Sequence, residues 1–205
     1  MKLKINHSKQ KVINAASLLF FQKGFHGTSV RDIAEEASVN VSLISYYFKS
    51  KQGLLEYAIT QYYEMYLTGF EEVIQQTESL PDLERLQKIT FFIIQYKQDN
   101  LQLTCTIHRE LSLDSVFVRE MTVTYLAKEN HYLSTLFYKI LRKDMNDKEF
   151  LFMQLKGMLI TPYLLYNEWK YQVIGNHSHQ IFVEKYAQKI NDWLELVNEF
   201  HPHKN

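Results

Sequence analysis

TSVRDIAEEASVNVSLISYYFKSKQGLL, residues 28–55, is the stretch on which the fold turns. Thr28 or Ser29 offers an N-cap, and Val30, Ile33, Ala34 and Ala37 follow at helical spacing. Residues 38–40 read as a turn, after which Val41, Ile44 and Phe48 give a second short helix one apolar face. Lys51, Leu54 and Leu55 then open another helix. Two short helices joined by a tight turn and locked by a third form the layout of a helix-turn-helix, whose second helix enters the DNA major groove.

That layout fixes which side chains are expected to face DNA. With Val41, Ile44 and Phe48 inward, Ser42, Leu43, Ser45 and Tyr46 point outward. Asn40, Ser42 and Ser45 carry donors and acceptors for base edges or phosphates, Leu43 suits a thymine methyl, and Tyr46 and Tyr47 bring hydroxyls to the helix end. Thr28 places a hydroxyl beside helix amides and Lys51 an ammonium, both suited to phosphate oxygens. Lys2 and Lys4 add a basic arm. The plainer alternative makes the tyrosines packing residues and the serines caps, and charge weighs against it. Net charge is zero overall, yet residues 1–52 hold eight basic side chains against three acidic ones, a surplus of five that the remainder cancels. A basic head on an acidic body is the asymmetry expected when only the head meets phosphate.

Outward from this stretch the chain reads as all-α. Proline and glycine number three and six among 205 residues, and β-type alternation is nearly absent. Helices are expected over about 8–23, 51–77, 82–98, 102–111, 115–142, 147–172 and 179–199. Residues 1–50 are the expected DNA-binding domain and 51–205 a helical regulatory and dimerisation domain. No apolar run approaches the ~18 residues of a membrane helix, no signal peptide opens the chain, and Cys105 is the single cysteine. These features point to a cytoplasmic, nucleoid-associated protein without membrane contact.

Two apolar seams run along the last helices: Leu151, Leu155, Met158, Leu159, Pro162 and Tyr166, then Phe182, Tyr186, Ile190, Trp193 and Val197. Part must be intrachain core, and the rest is expected to form a shared four-helix interface, because two heads one DNA turn (~34 Å) apart need a two-fold axis. Tyr62, Tyr66, Phe92, Tyr96, Tyr125 and Tyr163 are candidates to line a pocket for a small apolar or aromatic inducer, although aromatics at helical spacing more often form core. The pairs Arg109-Glu110 and Arg119-Glu120 read either as surface salt bridges or as a protein-contact patch.

Lys23-Gly24-Phe25, Thr28, Ile33-Ala34, Ala37, Val41 and Tyr46-Tyr47-Phe48 with Lys51, Leu54 and Leu55 together resemble the N-terminal signature of the TetR family of bacterial regulators. The resemblance implies an all-helical homodimer acting as a repressor on palindromic operators, with the dimer interface and often an inducer pocket in a divergent body. Carried over by position, the family's DNA contacts fall on Thr28, Asn40, Ser42, Ser45, Tyr46, Tyr47 and Lys51. Many members have glycine or lysine early in the recognition helix. This chain has Val41, Ser42 and Leu43, so the resemblance carries no base preference.

In the body, Arg109-Glu110, Arg119-Glu120, Lys128-Glu129, Gln154-Leu155-Lys156 and Pro162-Tyr163-Leu164 resemble RefZ-type regulators of sporulating Bacillus relatives. Those bind DNA and affect the division protein FtsZ, so that likeness implies an output through body-surface contacts. No enzyme is expected: His108 and Cys105 lack partners at catalytic spacing. No cofactor or metal is expected either, because His177, His179, His201 and His203 have no carboxylate or cysteine ligand beside them.

Overall fold

The structure, a computed structural model, describes residues 7–111, 120–141, 147–171 and 178–200. Among them the chain is helical, without a strand: α1 (His7–Lys23), α2 (Val30–Glu36), α3 (Val41–Phe48), α4 (Lys51–Gln76), α5 (Asp82–Asp99), α6 (Leu101–Leu111), α7 (Ala127–Lys139), α8 (Lys148–Leu164), the single turn α9 (Tyr166–Trp169) and α10 (His179–Phe200). A π-helical stretch, Thr122–Leu126, leads into α7. The expected helix over 115–142 lies partly outside the described residues.

Local chemistry sets the boundaries. α1 stops at Gly24, whose φ of +76° is the left-handed conformation that ends helices. Ser29 caps α2 in a capping box: its hydroxyl accepts from the Asp32 amide, and the Asp32 carboxylate accepts from the Ser29 amide. Asn40 caps α3, and Ser50 caps α4 by accepting from the Gly53 amide. A Cβ at Gly53 would stand 2.3 Å from the Phe48 carbonyl oxygen, so only glycine lets α3 turn this tightly into α4.

The head is α1–α3 closed over the first turns of α4. Val12, Ala16 and Phe20 of α1 meet Ile33 and Ala34 of α2, Ile44 and Phe48 of α3, and Leu54, Leu55 and Ala58 of α4, all buried. α4 continues into the body, where Tyr62, Tyr63, Tyr66 and Phe70 become core. There α5 packs against α4, α7 and α10, while α8 packs against α5, α6 and α7.

Part of each seam expected to carry a dimer interface is turned into this core. Leu155, Leu159, Pro162, Phe182, Ile190 and Val197 are buried within the chain. Leu151, Met158, Tyr166, Tyr186 and Trp193 are half-buried against it. A lone amphipathic face looks the same whether its own chain or a partner covers it, which is why spacing could not separate the two.

The expected helix over 147–172 breaks at Leu165, one turn after Pro162. Proline has no amide hydrogen, so the Met158 carbonyl, four residues earlier, loses its helical donor. The Tyr186 hydroxyl of α10 supplies one at 2.7 Å, and Lys97 of α5 donates to the next carbonyl, Leu159, at 2.9 Å. Three helices are thus strapped at the point where proline weakens one of them.

We expect Tyr186→Phe to cost about 1–3 kcal/mol, the penalty for a buried carbonyl left without a donor. In a Pro162→Ala background, where a backbone amide is restored, that cost should fall by more than half. Thermal melts of the two single variants and the double variant check this.

Candidate nucleic-acid interface and body cavity

α3 buries a face centred on Leu43, Ile44, Tyr47 and Phe48, with Leu43 and Tyr47 only half-covered. Val41 stands on the flank of that face and is 39% exposed, so its expected inward position is corrected, and Leu43 likewise turns partly inward. The outward face is Val41, Ser42, Ser45 and Tyr46. Tyr46 is 80% exposed and meets Tyr47 edge to face at 5.2 Å. The Asn40 side-chain oxygen accepts from both the Ser42 amide, at 2.9 Å, and the Ser42 hydroxyl, at 2.8 Å. The helix therefore begins with its first polar pair already oriented.

Two expected phosphate ligands, Thr28 and Lys51, make bonds that hold the head together. Thr28 is buried, and its hydroxyl is shared between the Gly24 carbonyl at 2.8 Å and the Leu19 carbonyl at 3.2 Å. Lys51 donates to the Phe25 and Thr28 carbonyls, both at 2.7 Å, and its ammonium lies 4.4 Å from the Phe25 ring centre. The turn after α1 leaves the Gly24, Phe25 and Thr28 carbonyls without helical donors, and Thr28 and Lys51 fill the gap. Lys2 and Lys4 lie outside the described residues.

In the body a cavity of about 620 Å³ opens between α4, α6, α7 and α8. Of the aromatic residues expected there, Tyr62 and Tyr66 line it, joined by Tyr63. The others stand one layer behind: Tyr125 stacks on Tyr63, Phe92 and Tyr96 pack on Tyr66, and Tyr163 backs His108. What spacing did not reveal is the charge inside. Glu129 of α7 is buried, accepting from the Tyr66 hydroxyl at 2.5 Å and from the Lys156 ammonium of α8. Buried Lys97, half-buried His108 and exposed Asn130 also line it.

The protonation states follow from burial and neighbours. Burial would raise the Glu129 carboxyl, but the Lys156 and Lys97 ammoniums and both hydrogen bonds outweigh it and hold it near 2. Burial presses Lys97 down to about 8, with Glu129 opposing and Lys156 assisting. Burial and then the Lys97 charge press His108 to about 3, leaving a neutral imidazole at neutral pH. Cys105 is buried and pushed up to about 12, which leaves an unreactive thiol.

Residues 12–58 match the family model for bacterial regulatory proteins of the tetR family. Over 198 residues the chain is 36% identical to "Probable HTH-type transcriptional regulator YttP" of Bacillus subtilis, covering 93% of each protein. The chain belongs to the TetR family. Solved structures agree on the fold. A TetR-like regulator from Rhodococcus sp. RHA1 superposes with a TM-score of 0.68 at 17% identity, covering 95% of this chain and 98% of that one. The fatty acid degradation regulator FadR of Bacillus halodurans gives 0.68 at 18% identity, covering 92% and 96%.

As a TetR-family member the chain is a DNA-binding helix-turn-helix transcriptional regulator, a regulator and not an enzyme. No helix among the described residues is long and apolar enough to cross a membrane, and no described group of three or more His, Cys, Asp or Glu side chains could hold a metal ion. His179 pairs with Asp99 at 2.7 Å, while His177, His201 and His203 lie outside the described residues.

Of the expected protein-contact patch, Arg109 and Glu120 are described and both are exposed. Arg109 reaches into the head, its guanidinium donating to the Phe21 carbonyl at 3.3 Å. Arg119 and the Glu110 side chain fall outside the description.

A sequence signal for the cavity charges did exist. Lys97 continues the buried row Leu86, Ile89, Thr90, Ile93 and Ile94 of α5, and Glu129 lies four residues before buried Leu133. An ionisable side chain in the apolar phase of a helix has to find a partner or a ligand.

His108 and Glu129 both titrate lower in the folded chain than their ordinary values of 6.5 and 4.5. Each therefore contributes stability that is complete above the ordinary value and lost as pH falls toward about 3 and about 2 respectively. We expect the melting temperature to drop on acidification below pH ~6.5, and His108→Phe to flatten the first part of that drop, down to about 4.5. A pH series of thermal melts on both proteins checks this.

Proposed function

We propose that this regulator acts as a homodimer on palindromic DNA, each α3 entering a major groove, and that occupancy of its sites represses transcription. The observation that carries the reading is the outward face of α3, small polar groups beside a strongly exposed Tyr46, on a head with a basic surplus. Ser42 and Ser45 suit base edges, Val41 a thymine methyl, and Tyr46 the phosphate backbone. No arginine stands on this face for bidentate guanine recognition, so DNA shape is a natural second source of specificity.

The outer faces of α8 and α10 support the two-fold assembly. Phe150 and Met153 are each 63% exposed, Leu164 follows on α8, and Ile181 and Leu196 are exposed on α10. Between Met153 and Leu164, Gly157 has open space where a Cβ would stand, which suits close approach of a second α8. The body cavity gives a small molecule a place from which to control the dimer. We favour transcriptional output over contact with FtsZ, because Arg109, the described arginine of the expected contact patch, reaches back to α1.

Ser45→Ala with Tyr46→Ala should lower affinity for a genomically mapped site at least ten-fold and leave the melting temperature nearly unchanged. Lys51→Met should do the reverse in kind: it removes two charge-assisted bonds, costs about 1.5–3 kcal/mol of stability, and weakens DNA binding only through the loosened head. Gel shifts and melts of both proteins separate the two roles. If the double variant binds DNA like the wild type, α3 is not the reading helix.

A Phe150→Glu, Met153→Glu variant should sediment as a monomer and lose operator affinity in parallel. A dimer that persists would place the interface elsewhere.

A further inference from the structure

The body cavity combines an apolar surround with an uneven set of charges. Both oxygens of Glu129 are engaged: one takes the Tyr66 hydroxyl and the other the Lys156 ammonium. Lys97, also buried, has no carboxylate of its own and, among the described residues, donates only to the Leu159 carbonyl. His108 is neutral at neutral pH, because burial and Lys97 both oppose its charge. Among the described residues two ammoniums therefore face one carboxylate, a surplus of one positive charge beside an apolar wall that includes Ile107, Leu126, Ile160 and Leu164. A buried cation without a counter-charge is costly, and a bound anion relieves that cost.

We propose that the cavity binds a mainly apolar molecule carrying one negative charge, with its head group at Lys97 and Lys156 and its apolar part along α7 and α8. This rests on the reading of the cavity as the regulator's ligand site and names the chemistry it takes. A cationic ligand would have to sit beside two ammoniums with no free carboxylate to receive it. A neutral one leaves the Lys97 charge uncompensated. The surplus of one also sets the valence of the head group, since a dianion would exceed it. Lys97 is the discriminating residue, because Lys156 is committed to Glu129.

The test uses the full chain and three probes that share one alkyl tail, dodecanoate, dodecan-1-ol and dodecyltrimethylammonium, each below its micellar concentration, in titration calorimetry. Dodecanoate should bind at least ten-fold more tightly than the alcohol, and the ammonium amphiphile should bind more weakly than either. Lys97→Met, which keeps the volume and removes the charge, should cost dodecanoate ten-fold or more and the alcohol less than two-fold. If that variant does not fold, the head-group comparison on the wild type still decides. The inference is overturned if the ammonium probe binds as well as dodecanoate, if the alcohol equals it, if Lys97→Met leaves dodecanoate affinity unchanged, or if none of the probes binds. Gel shifts run in parallel keep the readings separate. Dodecanoate that binds without releasing DNA upholds the ligand class and removes its role as inducer, whereas a protein that takes up dodecanoate but binds no DNA counts against the proposed function alone.

Discussion

A single helix, α4, has to satisfy two cores at once, and most of the architecture follows from that constraint. Its first turns complete the head through Leu54, Leu55 and Ala58, while its middle supplies Tyr62, Tyr63 and Tyr66 to the body. Its 26 residues run without a proline or a break, so the phase set at one end dictates which faces are presented at the other. The tight corner at Gly53 fixes how α3 sits on this rod, and the clamp of Lys51 on the Phe25 and Thr28 carbonyls fixes α1 beside it. A recognition helix of eight residues could not hold its orientation alone, since isolated helices of that length are barely stable in water.

The body solves a different problem. Burying Glu129 and Lys97, with Lys156 half-buried beside them, sacrifices hydration, and such groups seldom add net stability compared with apolar residues of similar size. Their presence in an otherwise apolar core marks a place where specificity outweighs stability. Each charge also comes from a different helix, α7, α5 and α8, with Tyr66 from α4, so the cluster fixes the mutual register of four helices as well as their separation.

How far the sequence could be read depended on how local each interaction is. The cap at Ser29, the end of α1 at Gly24 and the two short helices were legible because the deciding residues lie within one turn of each other, whereas Asn40, read as a DNA contact, also caps α3. The roles of Thr28 and Lys51 were not, because a phosphate oxygen and an unsatisfied backbone carbonyl attract the same donors. Val41 misled through its spacing: three residues before Ile44 is compatible with burial, yet the buried face centres on the Leu43-Ile44 and Tyr47-Phe48 pairs. In the body, Lys97 and Glu129 are far apart in sequence, and no periodicity within one helix announces that they meet. The aromatic positions pointed to the right region, with Tyr62 and Tyr66 on the cavity wall, but said nothing of its charge.

The straps around Pro162 have a mechanical consequence. Tyr186 and Lys97 stand in for, or lean on, backbone positions of α8, so α10 and α5 cannot slide along α8 without exposing a buried carbonyl. The outer faces of α8 and α10 therefore belong to one stiff plate rather than to two independent helices. Shear at that plate would break both bonds, and in the proposed dimer relative movement of the two heads is easier by tilting whole units about it. A ligand that reaches Lys97 acts at one of the bolts.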